Sequence, residues 1–158
     1  MKCPLLRDCI GVYWGAFDPL HEAHLAIIKK ALETFHHLII VVNNHSYKNY
    51  TYTLKERLAK IQTTAQAPHM TVFVQDDLNP IDFKYLKKVT SSPICAIAGY
   101  DAYLNWIHQS TSEERLLYQG IAVIPRGHES PHLVDKNAFL LEIDPRHKHI
   151  SSTKEKKQ

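Results

Sequence analysis

Two histidines, His21 and His24, follow the loop Trp14-Gly15-Ala16-Phe17-Asp18-Pro19-Leu20. Residues three apart share one face once a helix begins, so both imidazoles would crown a helix N-terminus. That end gathers unsatisfied backbone N–H groups and the positive pole of the macrodipole, a natural place for phosphate. Imidazoles added there donate hydrogen bonds to phosphate oxygens and stabilise charge building on phosphorus or on a leaving pyrophosphate. By itself an H-x-x-H pair is common, and a surface pair or a stray metal pair accounts for it equally well. Gly15 permits a tight turn, and Asp18-Pro19 fixes the chain entering the helix.

The elements that must position this loop follow from periodicity. Cys9 to Trp14 reads as a first strand, and His21 to Phe35 as a helix with Leu25, Ile28, Ala31, Leu32 and Phe35 on its apolar face. Leu38 to Val42 is a continuous β-branched run of the kind buried on both faces of a parallel sheet. A helix from Thr53 to Thr64, a strand from Met70 to Val74 and a short helix from Asp82 to Val89 come next. Ile94 to Ala98 is a fourth strand, Ala102 to His108 and Ser112 to Tyr118 are helical, and Gly120 to Ile124 is a fifth strand stopped by Pro125. Phe139 to Ile143, before Pro145, is a candidate sixth. This alternation predicts an α/β protein with a Rossmann-like, doubly wound parallel sheet in a single domain, residues 1–153, followed by a short charged tail, 154–158. Ligands of such sheets sit beyond the carboxyl ends of the strands. The segments leaving there are 14–24, 43–52, 99–106 and 125–128.

The bulk numbers narrow the classes. The chain has 158 residues and a formal charge of +3, and Lys148, Lys154, Lys156 and Lys157 crowd its end, so the body is almost neutral. A nucleic-acid-binding face would need more positive charge than that. No run approaches the ~20 apolar residues of a membrane span, and no signal-peptide pattern opens the chain. Cys3, Cys9 and Cys95 are odd in number and lack a C-x-x-C pair, which predicts neither a disulfide framework nor a zinc site. Cys95, in an apolar run, reads as a small buried hydrophobe. A reducing cytoplasm is the resulting expectation.

Gly15, Phe17, Asp18, Pro19, His21 and His24 stand in register with G-x-F-D-P-x-H-x-G-H. The string resembles the signature of the HxGH nucleotidyltransferases, which include nicotinate mononucleotide adenylyltransferases, phosphopantetheine adenylyltransferases and glycerol-3-phosphate cytidylyltransferases. The resemblance implies that His21 and His24 are catalytic and touch the triphosphate, and that Trp14, Gly15, Ala16 and Phe17 line the nucleotide site. The family's glycine before the second histidine is Ala23 here, and its Gly-Gly-Thr or Gly-Gly-Ser strand end is Trp14-Gly15-Ala16.

Further segments resemble later motifs. Gly99-Tyr100-Asp101 with Trp106 is similar to the Gly-x-Asp … Trp segment of nicotinate mononucleotide adenylyltransferases, implying an Asp101–ribose contact and an indole beside a pyridine ring. Asp101 as a helix N-cap and Trp106 as core explain the same residues. Arg126-Gly127 resembles an Arg-Pro-Gly turn whose proline has moved to position 125, and Arg126 then pairs with phosphate or stands exposed. Lys48 and Arg57 fit a loose lysine-then-helix pattern in which both hold the acceptor's phosphate. A solvated lysine and a helix-surface arginine fit as well. Ile150, Ser151, Ser152 and Thr153 resemble an I-S-S-T-x-x-R cradle for the triphosphate, with Lys156 where arginine is usual.

Together these imply adenylyl transfer from ATP to nicotinate or nicotinamide mononucleotide, with Mg²⁺ arriving on the ATP and no protein metal site. The partners are then ATP and a phosphate-bearing small molecule, with no nucleic acid, no membrane and a homo-oligomer as an option. The same chemistry on pantetheine phosphate or a cytidylyltransferase substrate, a nucleotide-binding domain that has lost turnover, and a purely structural subunit remain as alternatives.

Overall fold

A computed structural model describes residues 6–125, 133 and 137–143. Six strands form one parallel sheet: β1 Ile10–Gly15, β2 His37–Asn43, β3 Met70–Gln75, β4 Ile94–Gly99, β5 Gly120–Ile124 and β6 Ala138–Leu140. Their order is β3-β2-β1-β4-β5-β6. The chain therefore winds outward from β1 in one direction, returns, and winds outward from β4 in the other. Helices α1 Glu22–Thr34, α2 Leu54–Thr64, α3 Phe83–Val89, α4 Tyr100–Gln109 and the single turn α5 Ser112–Arg115 make the connections.

Why the sheet is parallel is visible in its central strands. Leu38 to Val42 are all buried, and so are all five residues of β5. A strand covered on both faces gains from an unbroken apolar run instead of an alternating one. On one face Tyr13, Leu38, Ile40, Val42 and Ile97 pack with Ile27, Ile28 and Ala31 of α1 and Ile61 of α2. On the other, Val12, Ile39 and Val41 pack with Leu86 of α3, and Ile121 and Val123 with Tyr103 of α4. Helix starts are set by side chains: Thr53 and Thr111 form capping boxes with Glu56 and Glu114, and Asp82 caps α3.

Several expectations are corrected in detail. The second half of the proposed Ser112–Tyr118 helix does not form: α5 ends at Arg115, whose guanidinium folds back onto Ile107 and Ser110 carbonyls, and Tyr118 instead enters an aromatic cluster. The sixth strand starts earlier and is shorter than proposed, because pairing with β5 runs only from Ala138 to Leu140. Cys9 is disulfide-bonded, so the expectation of no disulfide fails. Cys95 is a free thiol, buried, with its pKa pushed up to about 12 by burial. No helix among the described residues is long and apolar enough to cross a membrane.

The candidate nucleotide site at the carboxyl edge of β1 and β4

β1 and β4 pair in parallel at the point where the winding reverses, which is where doubly wound sheets leave a crevice for ligand. The loop leaving β1 folds back on itself there. Phe17 carries the turn with a φ of 49°, a left-handed conformation costing a non-glycine residue roughly 1–2 kcal/mol. Its ring is offset by burial: Phe17 is 1% exposed and meets Tyr13 edge-on at 5.4 Å and His24 at 5.0 Å. A Cβ on Gly15 would lie 3.0 Å from the Phe17 ring, so the glycine is needed for this fold-back. The sequence points to Gly15 as the turn, but the unusual backbone belongs to the next residue but one. Nothing in the type of residue 17 signals that.

The two histidines then form a reciprocal cap. His21 is the N-cap of α1, and its Nδ1 accepts the His24 backbone N–H at 3.4 Å. His24 Nδ1 accepts the His21 backbone N–H at 3.2 Å. This is a capping box with imidazoles in the places of serine and glutamate. The rings stack at 3.7 Å with 15° between their planes. Because each Nδ1 is an acceptor, each neutral ring carries its proton on Nε2, and Nε2–H is its donating edge. Burial, and then the neighbouring His21, lower the His24 pKa to about 3. At neutral pH His24 is thus uncharged at the positive pole of a helix.

That shift has a consequence for stability. The folded pKa lies below the ordinary histidine value of 6.5, so the unfolded chain binds the extra proton between the two values. The contribution is complete above about pH 6.5 and is lost as pH falls toward 3. Denaturant unfolding compared at about pH 6 and about pH 4 should show one extra proton, near 1.4 kcal/mol per pH unit, in wild type and not in His24→Gln. Equal slopes would exclude it.

Polar side chains of the β1 loop and of the elements around it brace this corner. Asp18, 1% exposed, accepts from the backbone N–H of Thr51 at 2.6 Å and Tyr52 at 2.7 Å, just before α2. Arg57, 2% exposed, donates through Nη1 to the Ala16 carbonyl at 3.0 Å and the Asn43 carbonyl at 2.8 Å. Its Nη2 donates to Asn44 Oδ1 at 2.6 Å, and the guanidinium lies 4.1 Å over the Tyr50 ring. The alternative of a helix-surface arginine is thereby overturned: the guanidinium points inward because main-chain carbonyls at the ends of β1 and β2 need donors. Gln75 joins the brace, donating to Asn43 Oδ1 at 2.7 Å and accepting from the Ile81 N–H at 2.9 Å. Trp14, half-buried, donates from its indole to the Ile81 carbonyl at 3.1 Å. Asp18, Gln75 and Asn44 were not singled out in the sequence as bracing residues, since their partners, the Thr51 and Tyr52 amides, Asn43 and the Arg57 guanidinium, reach them only through the fold.

Other candidates fall into place unevenly. Ala23 is 4% exposed, so its extra methyl group is taken up by the core. Gly99 ends β4 and precedes α4, and a Cβ there would meet nothing within 4 Å, which leaves room for a ligand beside the strand end. Asp101 is exposed in the first turn of α4 and is not its N-cap; that position is Gly99. Trp106 lies about 7.5 Å further along α4, packed edge-on to Tyr118 at 6.0 Å in a cluster with Trp14 and Phe83. The structure does not bring it beside Asp101's end of the helix. Lys48 is exposed on the turn after β2, its N–H bonded to the His45 carbonyl at 3.2 Å. Arg126, Ile150, Ser151, Ser152 and Thr153 lie outside the described residues. Among the described residues, no group of three or more His, Cys, Asp or Glu side chains could hold a metal ion.

Comparison with known proteins agrees with this geometry. A family model described as cytidylyltransferase-like matches residues 12–158. A phosphopantetheine adenylyltransferase of Levilactobacillus brevis is 32% identical over 145 residues, covering 91% of this chain and 79% of its own. One from Thermodesulfovibrio yellowstonii is 35% identical over 118 residues, covering 72% and 70%. A nicotinic acid mononucleotide adenylyltransferase of Plasmodium falciparum, solved with NaAD, superposes with a TM-score of 0.69 at 20% identity, covering 95% of this chain and 83% of that one. The last shows the shared fold, and the first three show the lineage: the chain belongs to the cytidylyltransferase-like family of nucleotidyltransferases.

Proposed function

We propose that the chain transfers the adenylyl group of ATP to the phosphate of a small acceptor, releasing pyrophosphate. The observation that carries this reading is the reciprocal histidine cap, which fixes two stacked imidazoles at the positive end of α1 with His24 uncharged. An acceptor phosphate oxygen attacks the α-phosphorus, the bond to the pyrophosphate oxygen breaks, and negative charge spreads over the nonbridging and leaving oxygens. Donors fixed in advance stabilise that charge without reorganising. No protein nucleophile takes part. His21 and His24 serve the triphosphate, the Trp14–Phe17 loop lines it, and Lys48 neutralises the acceptor's phosphate. Mg²⁺ belongs to the substrate, held by triphosphate oxygens.

Two acceptors each have an observation in their favour. Pantetheine phosphate is supported by relatives that share about a third of their residues across most of the chain. Nicotinate or nicotinamide mononucleotide is supported by Asp101 in the first turn after β4, where a carboxylate accepts from ribose hydroxyls, beside the open space at Gly99. Trp106, half-buried and edge-on to Tyr118, favours neither acceptor. Pantetheine phosphate therefore carries the greater weight.

Pyrophosphate release from ATP and from CTP, measured with all three acceptors, tests both levels. Release with ATP and pantetheine phosphate alone is the expected result. Release only with a mononucleotide would reverse the choice of acceptor. ATP binding by calorimetry with no release from any acceptor would sink adenylyl transfer and leave a nucleotide-binding domain.

A further inference from the structure

Asp77, two residues beyond the end of β3, has both carboxylate oxygens committed to a different loop. Oδ2 accepts from the Ser46 backbone N–H at 3.2 Å and from the Ser46 hydroxyl, and Oδ1 pairs with His45 Nδ1 at 3.3 Å. The turn it grips is closed by the Lys48 N–H on the His45 carbonyl. On its other side the His45 N–H donates to the Tyr50 hydroxyl at 2.9 Å, and Tyr50 lies under Arg57. Residues 45–48 are thus held from two directions, by Arg57 through Tyr50 and by Asp77 from the neighbouring strand. Lys48 is the exposed cation this turn presents at the carboxyl edge.

We propose that Asp77 is a positioning residue for the acceptor's phosphate, fixing the 45–48 turn so that Lys48 meets it. The proposal rests on the adenylyl-transfer reading and on Lys48 as the acceptor's cation. Three features fit positioning better than direct contact. Asp77 is negative, and would repel a phosphate brought against it. The Ser46 hydroxyl lowers its pKa against a smaller opposing effect of burial, and the Ser46 amide and His45 lower it further, so it stays ionised as an acceptor. Its oxygens are already taken by the turn. A lysine on a floating turn would pay to be ordered each time acceptor binds, and Asp77 removes that cost beforehand.

Steady-state kinetics on the full chain, with the acceptor that supports turnover, tests the proposal through D77N, K48A and the double variant. D77N should raise the acceptor KM about five- to tenfold, the worth of one ordinary hydrogen bond, with kcat and the ATP KM within about twofold. In the K48A background D77N should add nothing, since the residue it positions is gone. An unchanged acceptor KM in D77N, or an equal rise in the K48A background, overturns the proposal. Amide exchange at Ser46 reads the brace without substrate: protection should be lost in D77A, which leaves no acceptor there, and its retention also overturns the proposal. Wild-type protein that transfers nothing to any acceptor would instead overturn the adenylyl-transfer reading, so the two failures are distinct.

Discussion

His24→Ala is expected to lower kcat by about 10²–10³-fold, the effect of removing one preorganised donor from a developing oxyanion. The substitution also removes half of the α1 cap, costing about 1 kcal/mol of stability. A lower melting temperature alone would therefore not identify chemistry. His24→Glu separates the two roles, because a glutamate at this position completes a capping box with the residue before the helix. It lacks the Nε2–H donor and sets a negative charge against the phosphates. Melting behaviour close to wild type with kcat as low as in His24→Ala is the expected result. His24→Gln, which restores an N–H donor and keeps the acceptor, should recover part of the rate. Full activity in His24→Glu would show that the ring serves the helix alone.

Arg57→Ala is expected to be the most destabilising single change at the site, by about 3–5 kcal/mol, the sum of buried acceptors left without donors and the cavity left by the side chain. The guanidinium donates to the Ala16 and Asn43 carbonyls and to Asn44, and it covers Tyr50. Its loss leaves two carbonyls near the ends of β1 and β2 without these donors and opens a cavity. Against a typical stability of roughly 5–15 kcal/mol, that is a large fraction. Arg57→Lys should recover only part, since an ammonium cannot reach three acceptors in one plane. Urea unfolding midpoints at unchanged slope measure both effects. A loss under about 1 kcal/mol in Arg57→Ala would mean that water replaces the guanidinium's hydrogen bonds.

The sheet was legible because its signal is local: β-branched runs such as Leu38 to Val42, and helices opened by Thr53 or Asp82, announce themselves within a few residues. His21 and His24 were legible because the whole Gly15–His24 string surrounds them. The roles of Asp18, Arg57 and Asp77 were not. Each acts on backbone groups or turns more than thirty residues away in sequence (the Arg57 bond to Ala16, the Asp18 bonds to Thr51 and Tyr52, the Asp77 bonds to Ser46). No periodicity reports such pairings. Trp106 shows the same limit: its spacing from Asp101 does not report that the indole meets Tyr118, a residue beyond α4. Cys9 fell outside any motif that a three-cysteine count supports.

If His21 and His24 serve the triphosphate as proposed, the histidine cap couples two kinds of selection on the same rings. In most helices the residues that begin the helix are interchangeable among serine, threonine and aspartate, and drift costs little. Each ring gives Nδ1 to the backbone, and on the adenylyl-transfer reading its other edge serves the phosphates, so a substitution that suits only one side fails on the other. Histidine serves both ends at once with a neutral ring. Glutamate and serine serve the cap and abandon the phosphate; arginine and lysine serve the phosphate and abandon the cap. The loop is consequently a poor place for gradual change, and an engineered acceptor preference would be better sought at Gly99, Asp101 and the 45–48 turn, where no helix depends on the side chain.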